Sequence, residues 1–421
     1  MLSNVTVPLL GMVDTFVVGQ LGEAAPIAAV GLASAVISLI YWMFGFLRMG
    51  TSGLVAQAKG AGEAAETGAL LMRGLVVGVG AGLVFVVLQG LIVWLAVVAS
   101  PAEPEVEAMA AAYLSVRLWG APFAISIYAL TGWLIGMERT RGVLTLQLCM
   151  NGLNAALSLL FVLGFGWGVE GVAAATVIAE VVGAALGLLL CREAFAGDQW
   201  RDLERVLDRA KIRRMAEVNR DILIRSALLE TGFLYFIFVA SPFFGTAVLA
   251  ANHVLFKFIE VTAFALDGFA FAAETLAGQA FGARRPATVR RAAVMSSLWG
   301  LGMTGAISAL FLLAGPMIID LIAVAPDVRE EARRYLPWIA AIPVLSLPAF
   351  MFDGVFVGAT RTRDMRDSMV QSTLIYFVCA AVFLPMFGVH GLWAAMLIFF
   401  SARGATLCLR YPALERAAGE G

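Results

Sequence analysis

The sequence predicts an all-α integral membrane protein, with twelve transmembrane helices in two pseudo-symmetric six-helix lobes. Three observations carry this. Of 421 residues, 61% are hydrophobic and 14% charged. A soluble domain is about 25% charged, so lipid must solvate this chain. Apolar runs of spanning length recur twelve times. Finally, short motifs repeat in one register. AQAKG (56–60) matches GQAFG (278–282), and IGMERTR (135–141) matches VGATRTR (357–363), both at an offset of 222 residues. GVEG (168–171) matches GVHG (388–391) at 220.

In chain order the runs lie near 1–21, 27–58, 69–99, 108–137, 142–165, 169–191, 219–242, 247–281, 290–324, 335–358, 368–387 and 391–410. The first is barely long enough, since about 20 residues span a bilayer. It is kept as a helix rather than a cleaved signal, because no basic segment precedes it and spans continue to the end. Six runs per half make the halves parallel repeats, with a binding site expected between or within them. The lobes are residues 1–195 and 218–421, joined by a charged, helix-prone linker over 196–217. That linker suits a helix on the membrane surface or a solvated connector.

Lys and Arg set the orientation. With the N-terminus inside, the inward connections and the C-terminus, counted with their helix ends, hold 23 of 29 basic residues, nine of them between Arg192 and Arg225. The outward connections hold Arg329, Arg333 and Arg334, beside Asp327, Glu330 and Glu331, and Arg48, Arg117 and Lys257 fall within spans. Both termini are therefore expected in the cytoplasm. A net charge of −1 argues against a nucleic-acid partner. Cys149, Cys191, Cys379 and Cys408 have spacings that suit neither zinc nor a disulfide framework. No GxxxxGK[ST], nucleophile elbow or HExxH is present, so no ATP-driven step and no cofactor is expected.

Within the first run, VTVPLLGMVDTFVVGQLG, stands Asp14. A carboxylate at such depth costs about 2.5–3.5 kcal/mol on insertion scales and is tolerated where it faces protein or water. A carboxyl that cycles between neutral and charged there can couple proton binding to shape. The alternative is a structural aspartate satisfied by hydroxyls such as that of Thr15. Pro8 removes a backbone hydrogen bond and predicts a kink, bistable or static.

The stretches VPLLGMVDTFVVGQLG, FGFLRMGTSGLVAQAKGAG, ALDGFAFAAETLAGQAFGARR and FDGVFVGATRTRDMRDSM resemble the multidrug and toxic compound extrusion (MATE) family, in its DinF branch. The likeness covers nearly the whole chain. It implies two lobes around a cleft, and export of diverse, often cationic or amphipathic compounds against proton or sodium entry. In the DinF branch the proton is the usual expectation. Members usually carry a further turn or more ahead of the first helix than this chain does. Asp14 matches the ion-coupling aspartate of the family.

Further candidates follow. Asn154 and Ser158, at i and i+4, share one helix face. Similar proteins often have Asn-x-x-x-Asp here, in a hydrogen-bonded cluster with the first-helix aspartate, so by that resemblance Ser158 leaves one carboxylate fewer. Thr176 matches another polar position of that cluster. With Asn151 these residues would line a transport cavity, or serve as polar glue between helices. His253, Lys257, Glu260, Asp267 and Glu274 fall in one stripe of the eighth run, where Lys257 and Glu260 can pair. Asp267 and Glu274 match positions common in the DinF branch. The stripe is expected to face a lobe interior or the cleft, as charge packing, substrate-cation contact or a second proton site. Asp353 resembles an acidic sodium-site position of the NorM branch, with Glu230 the one candidate partner on the seventh run. Arg139, Arg141, Arg361 and Arg363 read as interface anchors.

The preferred reading is a monomeric proton-coupled exporter of small amphipathic or cationic compounds in the cell inner membrane. Sodium coupling is the runner-up ion. A lipid-linked oligosaccharide flippase would need several basic residues in the cleft for pyrophosphate. A membrane-embedded enzyme would need a convergent site, and His253 and His390 are the only histidines.

Overall fold

The computed structural model describes residues 16–20, 23–100, 102–197 and 200–420, and among these there is no strand. The helices are α1 (Ala24–Trp42), α2 (Gly45–Gly60), α3 (Ala64–Val87), α4 (Gln89–Val98), α5 (Pro104–Arg117), α6 (Ala121–Gly136), α7 (Thr140–Leu159) and α8 (Gly168–Leu190). There follow α9 (Leu203–Val206), α10 (Arg209–Leu234), α11 (Thr246–Gly282), α12 (Pro286–Ile322), α13 (Pro326–Gly358) and α14 (Thr362–Glu420).

Nine stretches among the described residues are long and apolar enough to cross a membrane. The helix α11, of 37 residues, is a further rod that carries the ionisable stripe. Helix α14, with 59 residues, would be about 88 Å long if straight, far beyond a hydrocarbon core of about 30 Å. It turns at Gly388, whose φ of 58° and ψ of −135° are non-helical. The last two runs are thus separate spans, as the twelve-helix reading requires.

The described residues group into two compact units. One takes those within Leu2–Lys59 and Glu63–Met215, the other Gly60–Gly62 and Ala216–Gly421. Within the helix-prone stretch 196–217 the two halves differ. Its second half is helical, because α10 starts at Arg209 and runs through into the seventh span. The residues of 209–218 are good helix formers but too polar to register as an apolar run. Its first half is docked in the N-terminal unit. Buried Arg73 of α3 donates to the carbonyls of Val206 (2.9 Å) and Arg205 (2.6 Å) and to Glu66 (2.6 Å), and Lys211 reaches the other Glu66 oxygen at 2.5 Å.

Close helix packing comes from small residues, as expected where no hydrophobic force draws helices together in lipid. On α3, Gly74, Gly78 and Gly82 recur every fourth residue. A Cβ there would lie 2.9 Å from Ala129 Cβ, 2.9 Å from Ser126 Cα and 2.2 Å from Pro122 Cα. The duplication reaches this level of detail. A Cβ on Gly132 or Gly136 would fall 2.5 Å and 2.7 Å from the carbonyl oxygens of Arg48 and Ser52. On Gly354 or Gly358 it would fall 2.3 Å and 2.1 Å from those of Ala270 and Glu274. All four positions of each half are related by 222 residues, the offset found in the motifs.

The left-handed residues repeat as well. Gly62 (φ 77°) corresponds to Arg284 (56°), Glu138 (63°) to Thr360 (50°), and Gly168 (59°) to Gly388 (58°), at offsets of 222, 222 and 220. The first two pairs end helices in the αL manner. The arginines that follow act there as tethers. Arg139 contacts Glu193 and donates to the Leu190 carbonyl (3.2 Å), while Arg361 holds Asp364 at 2.8 Å. Beside Arg139, Cys191 is fully buried.

Equivalent substitutions should therefore behave alike in the two halves. Gly132→Ala and Gly354→Ala are each expected to cost about 1–3 kcal/mol through overpacking, read as a lower thermal unfolding temperature in detergent. Gly80→Ala, with nothing within 4 Å of its Cβ, should be near neutral.

Candidate functional site

Asp14 and Pro8 lie outside the described residues. Among the described residues, one polar cluster of the N-terminal unit is built from α7 and α8. On α7, Asn154 and Ser158 are both buried on one face, and Asn151, one turn earlier, is half-buried. On α8, Thr176 is buried opposite them. The Asn154 amide Nδ2 donates to Thr176 Oγ1 at 2.8 Å, and that hydroxyl donates in turn to the Val172 carbonyl at 2.9 Å. The structure thus joins two of the four predicted residues directly. It leaves Asn154 Oδ1 a buried acceptor with no partner among the described residues. An amide oxygen accepts only, so a group that satisfies it must be a donor.

One turn along α8 from Thr176 stands Glu180, which the sequence reading did not single out. It accepts both arms of the Arg117 guanidinium, at 2.7 Å and 2.6 Å, and both residues are buried. Arg117 also lies 5.3 Å from the Tyr41 ring centroid and donates to its hydroxyl at 3.4 Å. Helix α5 ends at Arg117, and a 3-10 turn, Leu118–Gly120, links it to α6. Gly120 has no side chain because the pair occupies that space: a Cβ there would sit 2.3 Å from Glu180 Oε2 and 3.0 Å from Arg117 Nη1. The signal was legible. Glu180 interrupts the apolar run GVAAATVIAEVVGAALGLLL, and an ionisable residue within a span is a candidate on the same grounds as Asp14.

In the C-terminal unit the predicted stripe divides along α11. His253, Lys257 and Glu260 are exposed, Asp267 is half-buried and Glu274 is buried. Over 21 residues the helix therefore passes from an open face into the packed end of the unit. Lys257 and Glu260 pair at 3.0 Å. His390 accepts from Trp338 Nε1 at 3.0 Å.

Asp353 of α13 is buried between two arginines. Its Oδ2 accepts from Arg403 at 2.8 Å and also from Arg225 of α10. Arg403 is fully buried among Phe350, Phe399 and Phe400, with ring centroids 6.0, 5.9 and 5.7 Å away. Glu230, the candidate partner for a shared cation, is half-buried. No cluster of three or more His, Cys, Asp or Glu able to hold a metal ion occurs among the described residues.

Helices long enough to span, small residues at their contacts and ion pairs inside them define a multi-pass membrane protein built as a duplicated helical bundle. The MatE family model matches residues 1–160 and 222–386. DNA damage-inducible protein F of Escherichia coli K12 is 36% identical over 414 residues, covering 96% of this chain and 88% of its own. A probable multidrug resistance protein NorM of Rhizobium meliloti is 26% identical over 434 residues, with 96% and 89% covered. A solved structure described as a MATE crystal structure in the bent conformation superposes with a TM-score of 0.87 at 19% identity, over 99% of this chain and 94% of that one. The chain belongs to the MatE family of multidrug and toxic compound extrusion transporters, and falls with its DinF type.

Breaking the Arg117–Glu180 pair from one side should be costly. Glu180→Gln or Arg117→Ala is expected to lose about 3–5 kcal/mol, because an uncompensated charge stays buried. The double replacement Arg117→Met with Glu180→Leu should recover most of that loss. Unfolding temperatures of the purified variants in detergent check both.

Proposed function

We propose that this transporter exports small amphipathic or cationic compounds across the cell inner membrane in exchange for protons, by alternating access, with both termini in the cytoplasm. The orientation rests on the placement of 23 of 29 basic residues. Compound export is supported by the relatives named for multidrug resistance.

The observation that carries proton coupling is the acceptor left over on Asn154. A protonated carboxyl can donate to such an oxygen and an ionised one cannot. In this mechanism Asp14 is ionised while substrate is bound in the cleft. A proton arriving from outside turns it into a donor, its hydrogen bonds rearrange around Asn154 and Thr176, and the substrate is released as the helix changes shape.

Asp353 speaks against sodium. A cation site needs carboxylate oxygens free to coordinate, and here one carboxylate oxygen already faces two guanidiniums. A pyrophosphate flippase would need several uncommitted bases along the cleft, and here Arg117 is paired with Glu180, Lys257 with Glu260, and Arg225 and Arg403 both with Asp353.

Asp14→Asn tests the reading. In a drug-sensitive bacterium with wild-type levels of the variant, resistance and dye efflux should fall to the level of cells without the transporter. Full resistance at normal expression would defeat the proton role of Asp14.

A further inference from the structure

The cluster around Asp353 does not balance. Two guanidiniums, Arg225 and Arg403, meet one carboxylate, and both donate to the same oxygen, Oδ2. Among the described residues their ion pairs end there. The side chains of Arg403, Asp353 and Arg225 are 2%, 10% and 11% exposed. The three therefore hold two positive charges and one negative within the apolar part of the bundle. Such an excess is costly in a low dielectric unless it is compensated.

The hydrogen bonds show the same shortfall. Arg225 Nε and Arg403 Nε are buried donors with no acceptor among the described residues. The rings of Phe350, Phe399 and Phe400 stand 5.7–6.0 Å from the Arg403 guanidinium. They attract its charge through their faces, but they offer no oxygen to its N–H groups. What the cluster lacks, by charge and by donor count, is one anion with acceptor oxygens.

The fork of a guanidinium matches an oxyanion better than a spherical ion, because two parallel N–H bonds reach two oxygens. Asp353 is five residues before the end of α13 at Gly358, about 7.5 Å along the axis. The cluster thus lies near the helix end from which the arginines at 361, 363 and 366 continue. At that level phosphate groups are available from either side of the membrane surface.

We propose that Arg225 and Arg403, bridged by Asp353, form a binding site for a singly charged phosphate oxyanion in the C-terminal unit. The chemistry is shared by a lipid phosphodiester and by free phosphate. The inference does not depend on which compound is exported or on Asp14.

Charge arithmetic gives the site a signed test. Unfolding temperatures of the full-length protein are measured in detergent with inorganic phosphate replacing chloride at constant ionic strength. They are measured again in phosphatidylcholine nanodiscs with and without phosphatidylglycerol. The cluster carries +1 in the wild type, zero in Arg225→Gln or Arg403→Gln, and +2 in Asp353→Asn. The anion should therefore raise the wild-type unfolding temperature, raise that of Asp353→Asn more, and lose its effect in the two glutamine variants. Arg225→Lys, which keeps the charge, should retain a shift and serves if Asp353→Asn does not fold. A shift with inorganic phosphate assigns a soluble oxyanion. One confined to phosphatidylglycerol discs assigns a lipid headgroup. No shift in either medium, or equal shifts in wild type and both glutamine variants, would overturn the site.

Discussion

Charge inside lipid must be neutralised where it stands, and much of the interior is arranged around that requirement. Arg117 and Glu180 meet in a two-pronged pair at the middle of their spans. Helix α5 stops at the arginine, and Gly120 gives up its side chain to make room. Arg73 and Glu66 pair nearer a helix end, where Arg73 also donates to the backbone carbonyls of Arg205 and Val206. In the other unit Asp353 gathers Arg225 and Arg403 from two further helices. Each cluster joins elements distant in the chain. A single lost partner therefore leaves a charge exposed to hydrocarbon as well as a gap in packing.

Glycine provides the complementary half of the design. Ion pairs hold helices at fixed points, whereas glycines let the backbones approach closely between those points. The repetition of Gly132, Gly136, Arg48 and Ser52 as Gly354, Gly358, Ala270 and Glu274 shows what the duplication conserved. It kept the backbone contact and changed the side chains that branch from it. A repeated frame with unlike interiors is suited to giving the two lobes different tasks. On our proposal, proton coupling falls to the first and an oxyanion contact to the second.

The frame was legible because hydropathy and motif spacing are local or strictly periodic signals. Predicted runs 247–281 and 335–358 match α11 and the apolar part of α13, and three short motifs carried the offset on which the backbone repeats. The stretch before the seventh span was legible as helix-prone, but not as continuous with that span, because Arg209 to Val218 is helical without being apolar. Asn154 and Thr176 could be placed together through the family resemblance, and the structure joins them. The clamp on Asp353 could not. Its arginines are 128 and 50 residues away and counted toward the basic ends of helices, and no local pattern links them. Glu180 was within reach of sequence reasoning and was passed over for residues that matched the family pattern.

The central proposal is that protons, and not sodium ions, power export. The most direct measurement is uptake of a dye cation into proteoliposomes with one gradient imposed at a time. A proton-coupled exporter should accumulate dye under a pH gradient in sodium-free buffer and show none under a sodium gradient at equal pH. Accumulation driven by the sodium gradient alone, with none from the pH gradient, would contradict it.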